Sequence, residues 1–342
     1  MAILISRWKN NFSLYLFILF IICFLFGCSS VLSHPEQTIF NSKTPLPSWS
    51  EGKSKEIIIQ YINKISAPES ASYVSPENRI ATFDCDGTLW VEKPEHVEIG
   101  YEFKSIYEKA KRNPLLRSVQ PYKSVYENDL DYLYGLGQEN MARLLFNTHE
   151  GMRDTDYINE VKDYLSKTLH PRLKMPLKDL AYLPMVELIK YLQKNIFKVY
   201  VVSGSEISFI RAISQETFNI QTENVIGSFP QFNYESVGGK KKIVRGETDN
   251  INFGSRKPAN IYLFIGKKPI FAFGNSDGDI DMLNYANSNK KASLCLLLKH
   301  DDSKREYAYD KSSKKALGIA MKEGWTVVSM EDDFKKIFDF EK

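Results

Sequence analysis

A short apolar run, Ile80-Ala81-Thr82-Phe83, breaks into Asp84-Cys85-Asp86-Gly87-Thr88-Leu89-Trp90. Read as a strand and its exit, this stretch constrains the chain more than any other. Residues i and i+2 of an extended strand share a face, so Asp84 and Asp86 project together while Cys85 turns away. Two carboxylates this close resist joint ionisation. A bound divalent cation relieves the conflict and gives the pair unequal roles. Alone, the stretch also reads as a strand end followed by an Asp-Gly turn. Other segments decide between the two.

The chain alternates helix and strand on both sides of a long helical interruption. A helix is expected from an N-cap at Ser50, with Ile57, Ile58, Tyr61, Ile62 and Ile65 on one stripe. Between Trp90 and about Leu183 the periodicity is almost wholly helical, around Val97–Tyr107, Tyr126–Leu133, Met141–Phe146 and Tyr157–Leu169, punctuated by prolines 114, 121, 171 and 176. Such a length is too great for a loop, so it reads as an inserted helical domain. A helix then opens at Pro184. Further apolar runs follow: Val199–Val202 ending in Ser203-Gly204-Ser205, Ile270–Phe273 ending in Gly274-Asn275-Ser276-Asp277-Gly278-Asp279, Leu294–Leu298, and Thr326–Val328. A hairpin is expected near Phe232–Val244, turning at Gly238-Gly239. Short strands separated by helices predict an α/β fold with a parallel sheet. Ligands of such sheets bind outside the carboxyl ends of the strands, where Asp84/Asp86, Ser203 and Asn275/Asp279 gather. Lys257, just before Pro258 on a helix leading into the Ile270 strand, can approach the same edge.

At 342 residues and 43% hydrophobic, the chain can bury two cores. Its net charge of +3 includes Arg7 and Lys9 of the leader, which excludes the basic footprint of nucleic-acid binding. Those two cations precede an apolar stretch, Phe12–Phe26, that reads as an export signal. It ends in Leu25-Phe26-Gly27-Cys28-Ser29, which resembles a bacterial lipobox with Cys28 as the lipidated residue. An uncleaved membrane anchor is the alternative, although the span is short for it. Either way, the remainder is expected outside the cytoplasm. Of four cysteines, Cys85 and Cys295 lie outside the leader and read as small buried hydrophobes.

The four motifs, in this order, resemble those of the haloacid dehalogenase superfamily, in its phosphatase branch with a helical cap inserted after the first motif. The likeness runs from about Glu51 to the C-terminus. It implies a Rossmann-like core over 50–91 and 180–342 and a cap over 92–179, after a signal peptide at 1–27 and a tether at 28–49. By that resemblance Asp84 is the nucleophile, forming an aspartyl-phosphate. Asp86 protonates the leaving alcohol and then activates water. Ser203 and Lys257 balance phosphate charge, and the Gly87-Thr88 turn brings backbone N–H groups toward the phosphate. Mg²⁺ would sit on Asp84, the Asp86 carbonyl and the fourth motif. There the family's first acid is Asn275 and its second Asp279, with Asp277 able to compensate. A shifted register, with Asp277 and Asp281 as the acids, keeps the same spacing.

Acids at both positions of the first motif argue against a haloacid dehalogenase proper. They argue equally against a phosphonate-cleaving enzyme. Further candidates for binding a small phosphorylated substrate are Thr88, Gly87, Gly204, Glu92 and His149; for His149 a surface position is the alternative. The competing functional class is a lipid-tethered, non-catalytic scaffold on a degenerate fold of this kind, for which Asn275 is the only support.

Overall fold

The computed structural model describes residues 45–289 and 292–341. The signal peptide, Cys28 and most of the tether lie outside the described residues. The last residues of the expected tether are part of the core: Leu46 and Trp49 are buried, and the Trp49 indole donates to the Pro184 carbonyl at 2.9 Å.

Seven strands form one sheet: β1 (Ile80–Phe83), β2 (Lys198–Glu206), β3 (Val225–Val237), β4 (Lys240–Asn250), β5 (Phe271–Gly274), β6 (Leu294–Lys299) and β7 (Thr326–Ser329). Their order is β4-β3-β2-β1-β5-β6-β7, parallel except for the β3/β4 hairpin. All four residues of β1 and of β5 are buried, as expected of central parallel strands covered on both faces. From β1 the chain builds outward through β2 and β3, then returns to the other side of β1 as β5. The β1/β5 boundary is therefore the topological switch point, where a crevice opens at the carboxyl edge.

Local chemistry explains the elements. The first helix spans Lys53–Ser66 and buries Ile58, Ile62 and Ile65. Its N-cap is Gly52 rather than Ser50, with no side-chain cap. The helix Leu183–Lys194 takes its proline at the first turn, where the missing N–H costs nothing. The helix Ile207–Phe218 starts where the Glu206 carboxylate accepts from the N–H groups of Ser208 and Phe209. The hairpin turns at Gly238 and Gly239, whose φ angles of 58° and 77° suit a two-residue turn of the primed type. It extends well beyond the expected stretch, and its first residues, Val225 and Ile226, pair parallel with β2.

Between β1 and β2 lie the helices Val97–Arg112, Tyr122–Glu127, Asp131–Gly135, Gln138–Phe146 and Asp154–Lys167. The helix expected over Tyr126–Leu133 is two helices, because Asn128 takes a left-handed conformation (φ 56°) and ends the first. A separate apolar cluster under this region joins Ile106, Val125, Leu133, Leu145 and Phe146 to Ile251. Cys85 and Cys295 are free and buried. Among the described residues no helix is long and apolar enough to cross a membrane.

Candidate active site

The register Phe83↔Val201 and Phe83↔Phe273 brings the ends of β1, β2 and β5 level. Asp84 leaves β1 with its N–H on the Phe273 carbonyl (2.9 Å), so its side chain emerges beside the end of β5. The Lys257 ammonium lies 2.6 Å from Asp84 Oδ1 and 2.7 Å from Asp279 Oδ1. Burial disfavours its charge, but two carboxylates outweigh burial and hold its pKa above the ordinary value. Asp84 is pushed up to about 8 by burial and by Asp279, against the pull of Lys257. A cation beside its other oxygen, which accepts from Thr88 Oγ1 at 3.3 Å, would favour the ionised form.

That oxygen, Asp84 Oδ2, is where the charge fits. The inward atom of the Asn275 amide lies 3.2 Å from Asp84 Oδ2, 3.2 Å from the Asp86 carbonyl and 3.1 Å from Thr88 Oγ1. With NH₂ inward, the amide donates to all three. With oxygen inward, acceptors converge and only the Thr88 hydroxyl can donate. Adjacent oxygens around an octahedral Mg²⁺, each about 2.1 Å from the metal, lie about 3.0 Å apart. The inward Asn275 atom lies near this spacing from both Asp84 Oδ2 and the Asp86 carbonyl, which makes these three oxygens, with Asn275 Oδ1 inward, a candidate ligand set. One carboxylate, one carbonyl and one amide suit a hard cation. No group of three or more His, Cys, Asp or Glu side chains among the described residues is arranged to hold a metal, and none is needed for this set.

Asp279 and Asp277, both expected as ligands, are engaged elsewhere. Asp279 Oδ2 accepts from the N–H groups of Asn275 and Ser276 and from Ser276 Oγ, each at 3.0 Å, while Oδ1 takes Lys257. It folds the turn that presents Asn275. Gly274 is required for this, since a Cβ there would collide with the Asp279 side chain. Asp277 Oδ1 accepts from the Ala316 N–H at 2.9 Å, although the residue borders the cavity.

Asp86 is surrounded by donors: Trp90 Nε1 on Oδ1 (3.0 Å), and Ser205 Oγ (2.8 Å) and Ser203 Oγ (3.4 Å) on Oδ2. Ser205 is the residue the sequence reading missed. It stands two beyond Ser203, and that spacing was the available signal. Gly87 has φ 74°, and a Cβ there would meet the Asn275 amide. Gly204 has no room for a Cβ because the Phe253 ring lies against it. Glu92 is buried on the cavity wall, 3.5 Å from His96 Nε2 and 3.9 Å from Lys93 Nζ. His149 is neither at the surface nor at the cavity. It is buried between helices, with Nε2 2.8 Å from Glu102 Oε2 and Nδ1 3.3 Å from Lys109 Nζ. Arg211, half-buried, donates to the Thr222 carbonyl. Cys85 points into the core, where burial and the neighbouring Asp86 and Asp84 push its thiol well above the ordinary value.

A cavity of about 680 Å³ opens over these groups, lined by Asp84, Asp86, Ser203 and Lys257 and also by Ile99, Met141 and Phe146. The haloacid dehalogenase-like hydrolase family model matches residues 81–284, and the chain belongs to that family. The fold is similar to that of a conserved, functionally unknown protein from Anaerococcus prevotii DSM 20548, at TM-score 0.52 and 16% identity over 81% of this chain and 91% of that one. A protein of unknown function from Bordetella pertussis Tohama I matches at TM-score 0.46 and 15% identity, over 73% of this chain and 98% of that one. A probable phosphoserine phosphatase from Vibrio cholerae matches at TM-score 0.39 and 17% identity, over 82% of this chain and 69% of that one. No curated protein matches.

Proposed function

We propose that this chain is a Mg²⁺-dependent phosphomonoester hydrolase working through an aspartyl-phosphate, with residues 92–179 as its cap. The observation that carries the reading is the unequal setting of two acids on one sheet edge. Asp84 has one oxygen pinned by Lys257 at 2.6 Å and the other facing the cation-shaped oxygen set. Asp86 is held from three sides by hydroxyl and indole donors. In this reading Asp84 Oδ1, beside Lys257, attacks phosphorus and the ester oxygen leaves, while Oδ2 faces the cation position. Asp86 gives that oxygen its proton, then removes one from the water that cleaves the acyl phosphate. Hydroxyls can accept as well as donate, so Ser203 and Ser205 can pair Asp86 in either protonation state. Lys257 faces the phosphoryl charge, whereas the Gly87 and Thr88 N–H groups, expected to face it, donate to the Trp90 and Cys85 carbonyls at 2.9 and 3.1 Å. Asp84, the Asp86 carbonyl and Asn275 would hold Mg²⁺, which when bound neutralises charge on the transferring group.

The leader supports an exported protein anchored by lipid at Cys28, acting on a small extracytoplasmic ester. Hydrolysis of an aryl phosphate by the full chain, with Mg²⁺ and with chelator, tests the chemistry. Turnover that needs Mg²⁺ and is absent in Asp84→Asn is expected. A folded protein with no turnover between pH 5 and 8 would sink the proposal. Globomycin-sensitive processing and labelling of Cys28 by a lipid precursor test the anchor; an unlabelled, soluble product refutes it.

A further inference from the structure

Resting on the phosphatase reading, we infer that the substrate's alcohol is apolar, such as a ring or branched hydrocarbon, and not the zwitterion of an amino-acid phosphate. The cavity that holds Asp84, Asp86 and Lys257 is also lined by Ile99, Met141, Ala142, Phe146 and Phe253. These side chains belong to the apolar cluster beneath the helical region, of which the cavity exposes one edge. Phe253 comes from the loop between β4 and the Lys257 helix, so the apolar lining begins directly beside the catalytic groups. It lies against Gly204 where no other residue would leave room.

Of the cavity's charged groups, Lys257 and Glu98 are buried against partners, while Lys93 and His96 stay partly exposed beside Glu92. Glu92 faces Lys93 and His96, and Lys93 also sits 4.8 Å over the Tyr309 ring. Glu98 accepts from the Glu206 N–H at 3.0 Å, and Lys257 is held by Asp84 and Asp279. No arginine lines the cavity among the described residues, so nothing there presents the planar fork that reads an α-carboxylate. At about 680 Å³ the space far exceeds a phosphoryl group and falls in the range of ~300–1,000 Å³ for sites that enclose a whole small molecule. The apolar residues that do line it, Ile99, Met141 and Phe253 foremost, reward apolar area removed from water.

The test compares benzyl, isobutyl and ethyl phosphate with O-phosphoserine, using the full chain in detergent with Mg²⁺. The three alkyl esters release alcohols of similar acidity, which removes leaving-group chemistry from the comparison. Benzyl phosphate should exceed ethyl phosphate in kcat/KM by about tenfold to a hundredfold, with O-phosphoserine at or below ethyl. Phe253→Ala and Met141→Ala should each shrink the benzyl-to-ethyl ratio several-fold. In parallel, calorimetry should give tighter binding of benzylphosphonate than of methylphosphonate. Efficient hydrolysis of ethyl phosphate or O-phosphoserine with no benzyl advantage overturns this inference and leaves the phosphatase reading standing. Hydrolysis of none of the four, with neither phosphonate bound, overturns both.

Discussion

Two buried clusters of acids sit within this chain, and they differ in one respect. At the sheet edge, Asp84, Asp86 and Asp279 surround Lys257 beside an open cavity. Under the helices, Glu102, Glu206 and Asp154 are matched by His149 and Arg245, with Arg245 3.8 Å over the Tyr157 ring, and none of these five lines the cavity at the sheet edge. Both contain the residue types that sequence reading calls catalytic. In the second, the groups pair with one another inside the fold: Arg245 with Asp154 and Glu206, and Lys109 donates to His149 Nδ1, which leaves Nε2–H to donate to Glu102. Charge and burial are common to both; access to a reacting molecule belongs only to the first.

Substitutions can break this comparison. The largest effect is expected from Asp84→Asn, which removes the nucleophile from an already polar setting: turnover vanishes and the melting temperature holds or rises. Residual activity near wild type would show that the open cluster is not the reacting one. Asp86→Asn should cost about 10²–10⁴ in kcat while phosphate still binds. His149→Ala should do the reverse. Removing one partner of a buried pair costs about 3–5 kcal/mol, measured by denaturant unfolding, with kcat of the folded fraction nearly unchanged. A selective loss of kcat would move His149 into the mechanism. Asn275→Asp should tighten Mg²⁺ binding, seen by titration calorimetry, whereas Asp277→Asn should leave it unaltered and loosen the start of the helix Lys314–Glu323, where Ala316 lies; the opposite pattern would favour the shifted register.

The smallest effect expected is on stability against pH. Burial pushes Glu206 from 4.5 up to about 7, and burial with Glu102 and Glu206 raises Glu98 as well. An acid raised on folding holds its proton more tightly in the folded state. Its contribution is therefore complete below about 4.5 and is lost as pH rises toward about 7. The melting temperature should fall by a few degrees across that window, and Glu206→Gln should flatten the decline. A melting temperature that climbs with pH there would contradict the assignment.

Much of the sheet is legible because its strands are continuous apolar runs ending in polar residues, a pattern set by burial on both faces. The Pro184 helix start and the Gly238-Gly239 turn are equally local, since φ preferences of single residues fix them. Less local features escaped. The Ser50 cap failed because Gly52 starts the helix, and the outer hairpin ran longer because pairing across β3 and β4 continues past the turn signal. His149 was misplaced because its surroundings are helices distant in sequence.

What the sequence alone determined is the set of strand ends and the acids on them: alternation along β1 forces Asp84 and Asp86 to one side, whatever packs around them. Only the tertiary structure decided which oxygens are free. Asp279 and Asp277 carry the same carboxylates as Asp84, yet the turn after β5 and the helix at Ala316 bind them, and Asn275 is left facing Asp84. Hydrogen-bond partners come from elements far apart in the chain, and their claim on a side chain exists only once those elements have met.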